Sequence, residues 1–71
     1  MFMSELTIQF GQLVRKYRKE KSMSQEQLAL LCNIMDRSYL GRIERGEVNL
    51  TLEKIYDLAR NLKVLPTQLL P

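Results

Sequence analysis

Seventy-one residues, 45% hydrophobic and 27% charged, fit one domain with a thin core, because a chain this short buries only about 60% of its unfolded surface. Eleven Lys and Arg against eight Asp and Glu give a net charge of +3, a mild excess whose placement matters more than its size. With no histidine and one cysteine (Cys32), no apolar run near the roughly 18 residues that span a membrane, and no signal-peptide pattern, the expected setting is a reducing cytoplasm, with no disulfide framework, metal, cofactor, small-molecule ligand or membrane partner.

Apolar Leu6, Phe10, Leu13, Val14 and Tyr17 recur at helical spacing and predict a first helix over about 6–21, with Ser4 or Thr7 as its cap. Arg15, Lys16 and Lys19 then fall on its wet side, and with Arg18 and Lys21 they crowd basic charge into one segment. Such a cluster suits a polyanion, nucleic acid ahead of a membrane, or a plain solvated face. Ser24-Gln25-Glu26-Gln27 fits a capping box for a second helix over about 25–32, which buries Leu28, Leu31 and Cys32 and uses Ala29 for close approach. Cys32 reads as a small core residue rather than a redox sensor. Asn33 follows where a left-handed terminator is wanted.

Asp36 is the next natural N-cap, so a third helix spans about 37–45, turns Leu40 and Ile43 inward and stops at Gly46. Glu47 to Leu50 forms a polar loop anchored by Leu50. Thr51 caps a fourth helix over about 52–62, with Ile55, Leu58, Ala59 and Leu62 inside and Glu53 near its positive end. Pro66 suits the first turn of a short fifth helix over about 66–70. The expectation is an all-α, compact five-helix domain over 1–71.

The stretch 24–45 reads as two short helices joined by a tight turn, the second with basic and hydroxyl side chains on one face. A helix-turn-helix offers a helix to the DNA major groove in this way. Arg37 and Ser38 begin the third helix, the end that meets base edges, where Arg presents a fork to guanine O6 and N7 and Ser pairs with several bases. Arg42 lies one turn on from Ser38 and is a third candidate base contact, with a phosphate as its other target. The bland reading makes Arg37 and Arg42 ordinary surface charges. Gly41 costs the helix up to about 1 kcal/mol relative to Ala, which close approach of DNA or of the second helix would explain. Gln25, opening the second helix where free amides favour an anion, is a candidate phosphate contact. Tyr39 either donates to a phosphate or packs.

Val64, Leu65, Leu69 and Leu70 are too many apolar side chains for one short helix to bury internally, so the region 52–70 is expected to form a two-fold homodimer interface. Two recognition helices would then stand about 34 Å apart on a pseudo-palindromic operator. With no His, no glycine-rich phosphate loop and no paired carboxylates, an enzyme is not expected.

Leu13 through Leu70 resembles the phage-repressor (Cro-like, XRE-like) helix-turn-helix family, which implies the lambda-repressor-like DNA-binding fold. The matching landmarks, in order, are the Ser24-Gln25-Glu26-x-Leu28-Ala29 helix start, the Arg42-Ile43-Glu44-Arg45-Gly46 helix end and the Thr51-capped fourth helix. Asp36-Arg37-Ser38-Tyr39 and the length look most like the controller proteins of restriction–modification systems. Those are small homodimers that bind promoter operators to time the endonuclease against its methyltransferase. The resemblance further implies that Gln25 braces nearby recognition residues, that Asn49 contacts a phosphate, and that Arg18 and Glu44 form an internal ion pair. If that pair is partly buried, removing one partner would cost several kcal/mol, so both residues are assigned to structure.

Relatives usually carry one residue fewer before the recognition helix than Asn33-Ile34-Met35-Asp36 provides. Ile34 or Met35 is therefore expected to swing outward, or the second helix to end differently, with the third helix's angle at stake. A phage or chromosomal repressor, or the antitoxin of a toxin–antitoxin pair, shares the same core. A helical protein-interaction module is the reading outside DNA binding. An acidic patch involving Glu47 or Glu53 is a candidate contact for RNA polymerase.

Overall fold

Four α-helices and one 3-10 turn follow each other along the chain: α1 Glu5–Glu20, α2 Gln25–Leu31, α3 Arg37–Glu44, α4 Leu52–Leu62, and the 3-10 turn Pro66–Leu69. They belong to a computed structural model that describes residues 4–33 and 36–71. Ile34 and Met35 lie outside the described residues, and with them the expectation that one of the two swings outward.

Local chemistry sets the helix starts. Ser4 caps α1, its Oγ accepting from the Thr7 N–H at 3.2 Å while the Ser4 N–H donates to Thr7 Oγ1 at 2.9 Å. Ser24 and Gln27 make the same reciprocal box at the start of α2. Asp36 and Thr51 cap α3 and α4. Each cap satisfies N–H groups that a helix start otherwise leaves without partners.

One helix end, that of α2, differs from expectation. Helix α2 stops at Cys32, whose φ of −93° and ψ of 90° are not left-handed. Positive φ among the described residues falls at Ser22, Gly46 and Lys63, so the terminator expected at Asn33 is not among them. Ser22, Gly46 and Lys63 end α1, α3 and α4 with the same pair of bonds, of which Gly46 N–H to Ile43 O and Glu47 N–H to Arg42 O, both 3.0 Å, are one set. Gly46 is irreplaceable for two reasons, its φ of +80° and the Ile8 backbone lying where a Cβ would stand.

The fifth helix is instead a single 3-10 turn, which corrects the five-helix expectation. Its bonds run from Gln68 N–H to Leu65 O and from Leu70 N–H to Thr67 O, and four residues are too few to nucleate an α-helix.

The core joins Phe10 and Val14 of α1, Leu28, Ala29 and Cys32, Leu40 and Ile43 of α3, Leu58, Ala59 and Leu62 of α4, and Leu69. Leu31, expected inside, is 51% exposed. Leu28, Ala29 and Cys32 define the inner face of α2, and at roughly 100° per residue Leu31 sits about 100° round from its centre. Gly11 was not foreseen as a packing residue. A Cβ there would press on the backbone carbonyls of Ile43 and Glu44, so α1 and α3 cross with backbones in contact.

Candidate nucleic-acid interface

Helix α3 is anchored by one face and open on the other. Leu40 and Ile43 are buried, whereas Arg37, Ser38 and Arg42 are exposed. Positions 37, 38, 41, 42 and 45 share the outer face by helical spacing, and with Gln25 they line a shallow polar hollow centred on Gly41. The hollow thus brings together Gln25, Arg37, Ser38 and Arg42. It adds Arg45, which the sequence reading had absorbed into the helix end.

A buried ionic network holds this face to the scaffold. Arg18 Nε and Nη2 meet Glu44 Oε2 and Oε1 at 2.6 and 3.0 Å, both side chains less than a tenth exposed. Arg18 Nη1 also donates to the Met23 carbonyl at 2.8 Å, and Gln25 Nε2 donates to Glu44 Oε1 at 3.0 Å. Helix α1, the start of α2 and the end of α3 are therefore tied through one carboxylate. No buried side-chain nitrogen or oxygen among the described residues lacks a partner, the condition under which a buried ion pair is tolerated. A carboxylate only accepts, so Nε2 of Gln25 must point inward. That leaves Oε1 and one Nε2 hydrogen for the hollow.

Of the basic segment in α1, Arg18 is therefore spent inside the fold. Arg15, Lys16, Lys19 and Lys21 are exposed, with Lys16 Nζ 5.1 Å from the centre of the Tyr17 ring.

Glu47 governs the far end of the hollow. Its Oε2 accepts from Arg45 Nε at 2.9 Å, and its Oε1 lies 3.7 Å from Arg42 Nε. The hydrogen bond from Arg45 holds the Glu47 carboxyl below the usual carboxylate range. Glu47 is thus committed to two arginines, and Glu53 is the exposed member of the acidic pair considered for RNA polymerase.

Tyr39 lies off the hollow, half-buried against the core. Lys54 of α4 donates to its hydroxyl at 3.1 Å and sits 4.5 Å from the ring centre. The Tyr39 hydroxyl keeps its own hydrogen to donate outward, so packing and phosphate contact are compatible. Lys54 had no sequence signal, since only the tertiary contact brings it there.

Asn49 is exposed on a different surface. It stands at the rim of an apolar groove formed by Leu6, Val48, Leu50, Ile55 and Leu70. Of the side chains expected at a dimer interface, Leu65 (66%) and Leu70 (49%) are exposed and Val64 packs partly against the core. Leu69 is 0% exposed. That corrects its assignment, because the 3-10 turn folds it into the chain's own core, where it has no surface to give a partner. Leu6, at 66%, takes its place on the outside.

Cys32 is buried, accepts from Asn61 Nδ2 at 3.5 Å, and has its thiol pushed up to about 11, chiefly by burial and then by the nearby Asp57 charge. It stays a protonated packing residue at neutral pH. No helix among the described residues is long and apolar enough to cross a membrane.

Comparison with known proteins places this geometry. Residues 14–69 match the helix-turn-helix family model. The control protein C.BamHI of Bacillus amyloliquefaciens is 43% identical over 68 residues, covering 94% of this chain and 83% of that protein. The restriction–modification controller protein C.AhdI of Aeromonas hydrophila superposes with a TM-score of 0.84 at 44% identity, over 89% of this chain and 94% of that one. The controller C.Esp1396I, solved as a tetramer on its natural 35-base-pair operator, gives 0.82 at 35% identity, over 93% and 86%.

Proposed function

This chain belongs to the helix-turn-helix family, among the restriction–modification controller proteins, and on that premise we propose that it is a sequence-specific DNA-binding transcriptional regulator acting as a homodimer. The observation that carries the reading is the hollow on α3. Three arginines and a serine face outward around a glycine, on or at the end of a helix whose other side is locked into the core, with the braced glutamine of α2 beside them. Arg37, Ser38 and Arg42 are assigned to base edges. Gln25 and Tyr39 are assigned to phosphates, with Lys54 beside Tyr39 as a further cation. Phosphate contacts fix register and base contacts choose sequence. Asn49 remains a candidate phosphate contact from the rim of the apolar groove, outside this face.

One copy measures 26 × 24 × 21 Å, too small to set recognition helices in two successive major grooves about 34 Å apart. A second copy seated on the apolar groove at Leu6, Val48, Leu50, Ile55 and Leu70, with Val64 and Leu65 as further candidate contacts, supplies the second helix. A pseudo-palindromic operator and a cytoplasmic location follow from this role. A contact with RNA polymerase would rest on Glu53.

Titration of the chain onto duplex DNA from upstream of its own coding sequence, and onto a scrambled duplex of equal length and composition, tests the proposal. The expected result is preference for the upstream duplex and a steep loss of affinity with salt, as counterions are released. Equal binding of both duplexes, or binding indifferent to salt, would refute it.

A further inference from the structure

We propose that Glu47 is a positioning residue for base recognition, holding Arg45 so that the end-on edge of its guanidinium meets a guanine in the major groove. This rests on the DNA-binding reading given above. Arg45 caps α3, yet its Nη1 reaches back to within 3.3 Å of where a Cβ on Gly41 would stand, a full turn earlier. The guanidinium therefore lies over the middle of the recognition helix, and the missing side chain at Gly41 makes the room.

Its direction comes from Glu47. The carboxylate takes Nε of Arg45 at 2.9 Å and stands 3.7 Å from Nε of Arg42. A guanidinium bonded through Nε keeps its Nη1–Nη2 edge, which has the fork geometry that matches guanine O6 and N7. Glu47 is itself fixed. Its N–H donates to the Arg42 carbonyl at 3.0 Å in the turn made by left-handed Gly46, and its side chain is 27% exposed. An exposed ion pair contributes little to stability. A lone carboxylate on a face that approaches phosphates would weaken binding. Paired with two arginines, Glu47 leaves the face cationic and supplies orientation.

The test is a titration of the full chain and of Glu47→Gln, Arg45→Ala and the double variant onto the operator duplex and the scrambled duplex. Glu47→Gln is expected to lower the operator-over-scrambled ratio roughly five- to tenfold, the scale of one good base contact. Arg45→Ala is expected to lower it at least as much, and the double variant to match Arg45→Ala within about twofold. Replacing one G·C pair in each half-site should produce a ratio that no longer responds to Glu47. If Glu47→Gln strengthens both duplexes equally, the carboxylate acts only as a charge and the proposal fails. The same follows if its effect is undiminished in the Arg45→Ala background. A wild-type chain with no operator preference would overturn the regulator reading and this proposal together. A preference untouched by Glu47→Gln would overturn this proposal alone.

Discussion

Gly41 weakens the helix it sits in, and its absent side chain leaves room for the Arg45 guanidinium on the DNA-facing side. A Cβ there would make ordinary contact with Gln25 and crowd only the end of the Arg45 side chain, so α2 does not require a glycine. Gly41→Ala should therefore raise stability by up to about 1 kcal/mol in thermal or denaturant unfolding while weakening operator binding. A gain in stability with unchanged affinity would remove Gly41 from the DNA-facing set. Arg37→Ala should weaken operator binding by roughly 1–3 kcal/mol and relax preference at one base pair, with little effect on scrambled DNA. Cys32 provides a pH signature. Its thiol ionises near 9.0 in an unfolded chain but near 11 in the fold, so the unfolded state sheds its proton first and gains as pH rises between the two. Stability should be full below pH 9 and fall toward pH 11 by up to roughly 2–3 kcal/mol, an alkaline slope that Cys32→Ala removes in equilibrium unfolding. Arg37, Ser38 and Arg42 were legible as one face because helical periodicity sets them opposite Leu40 and Ile43, and Gln25 was legible from its place opening α2. Spacing also puts Arg45 on that face, but its doubled-back reach to Gly41, like the contact between α3 and α4 that brings in Lys54, leaves no trace in spacing.

At the level of elements, the starts were legible and the ends only partly so. Ser4, Ser24, Asp36 and Thr51 cap by bonds to residues three positions on, a rule contained in the local sequence. Ser22 and Lys63, by contrast, adopt a left-handed backbone that neither residue type favours, because the tertiary fold needs the chain to turn there. The same limit hid the crossing of α1 and α3 at Gly11, since a glycine inside a helical pattern does not say which backbone it meets. Gly11→Ala tests that crossing. Despite the better helix propensity of alanine, the methyl group must push the Ile43 and Glu44 carbonyls away, and the chain should lose roughly 1–3 kcal/mol. Operator binding should weaken as well, because those carbonyls belong to the end of the recognition helix. A variant as stable as the parent would show that the two helices part easily.

For the whole molecule, the apolar surface left outside the core is where the proposed second copy would sit. Leu6 and Leu70 line one groove, 66% and 49% exposed, and a small domain gains from covering such surface. Leu6→Glu together with Leu70→Glu should give a folded monomer in sedimentation at micromolar concentration, where the parent chain is expected to sediment as a dimer. A parent chain that sediments as a monomer with and without DNA would contradict the interface. Dimer geometry and recognition face come together in a hydroxyl-radical footprint of the chain on its own upstream DNA. Two protected segments about one helical turn apart are expected, related by a pseudo-two-fold axis, and with Arg37→Ala both should need roughly five- to a hundredfold more protein. A single protected segment, uniform protection along the duplex, or a footprint that appears at the same protein concentration with Arg37→Ala would contradict recognition by paired α3 helices.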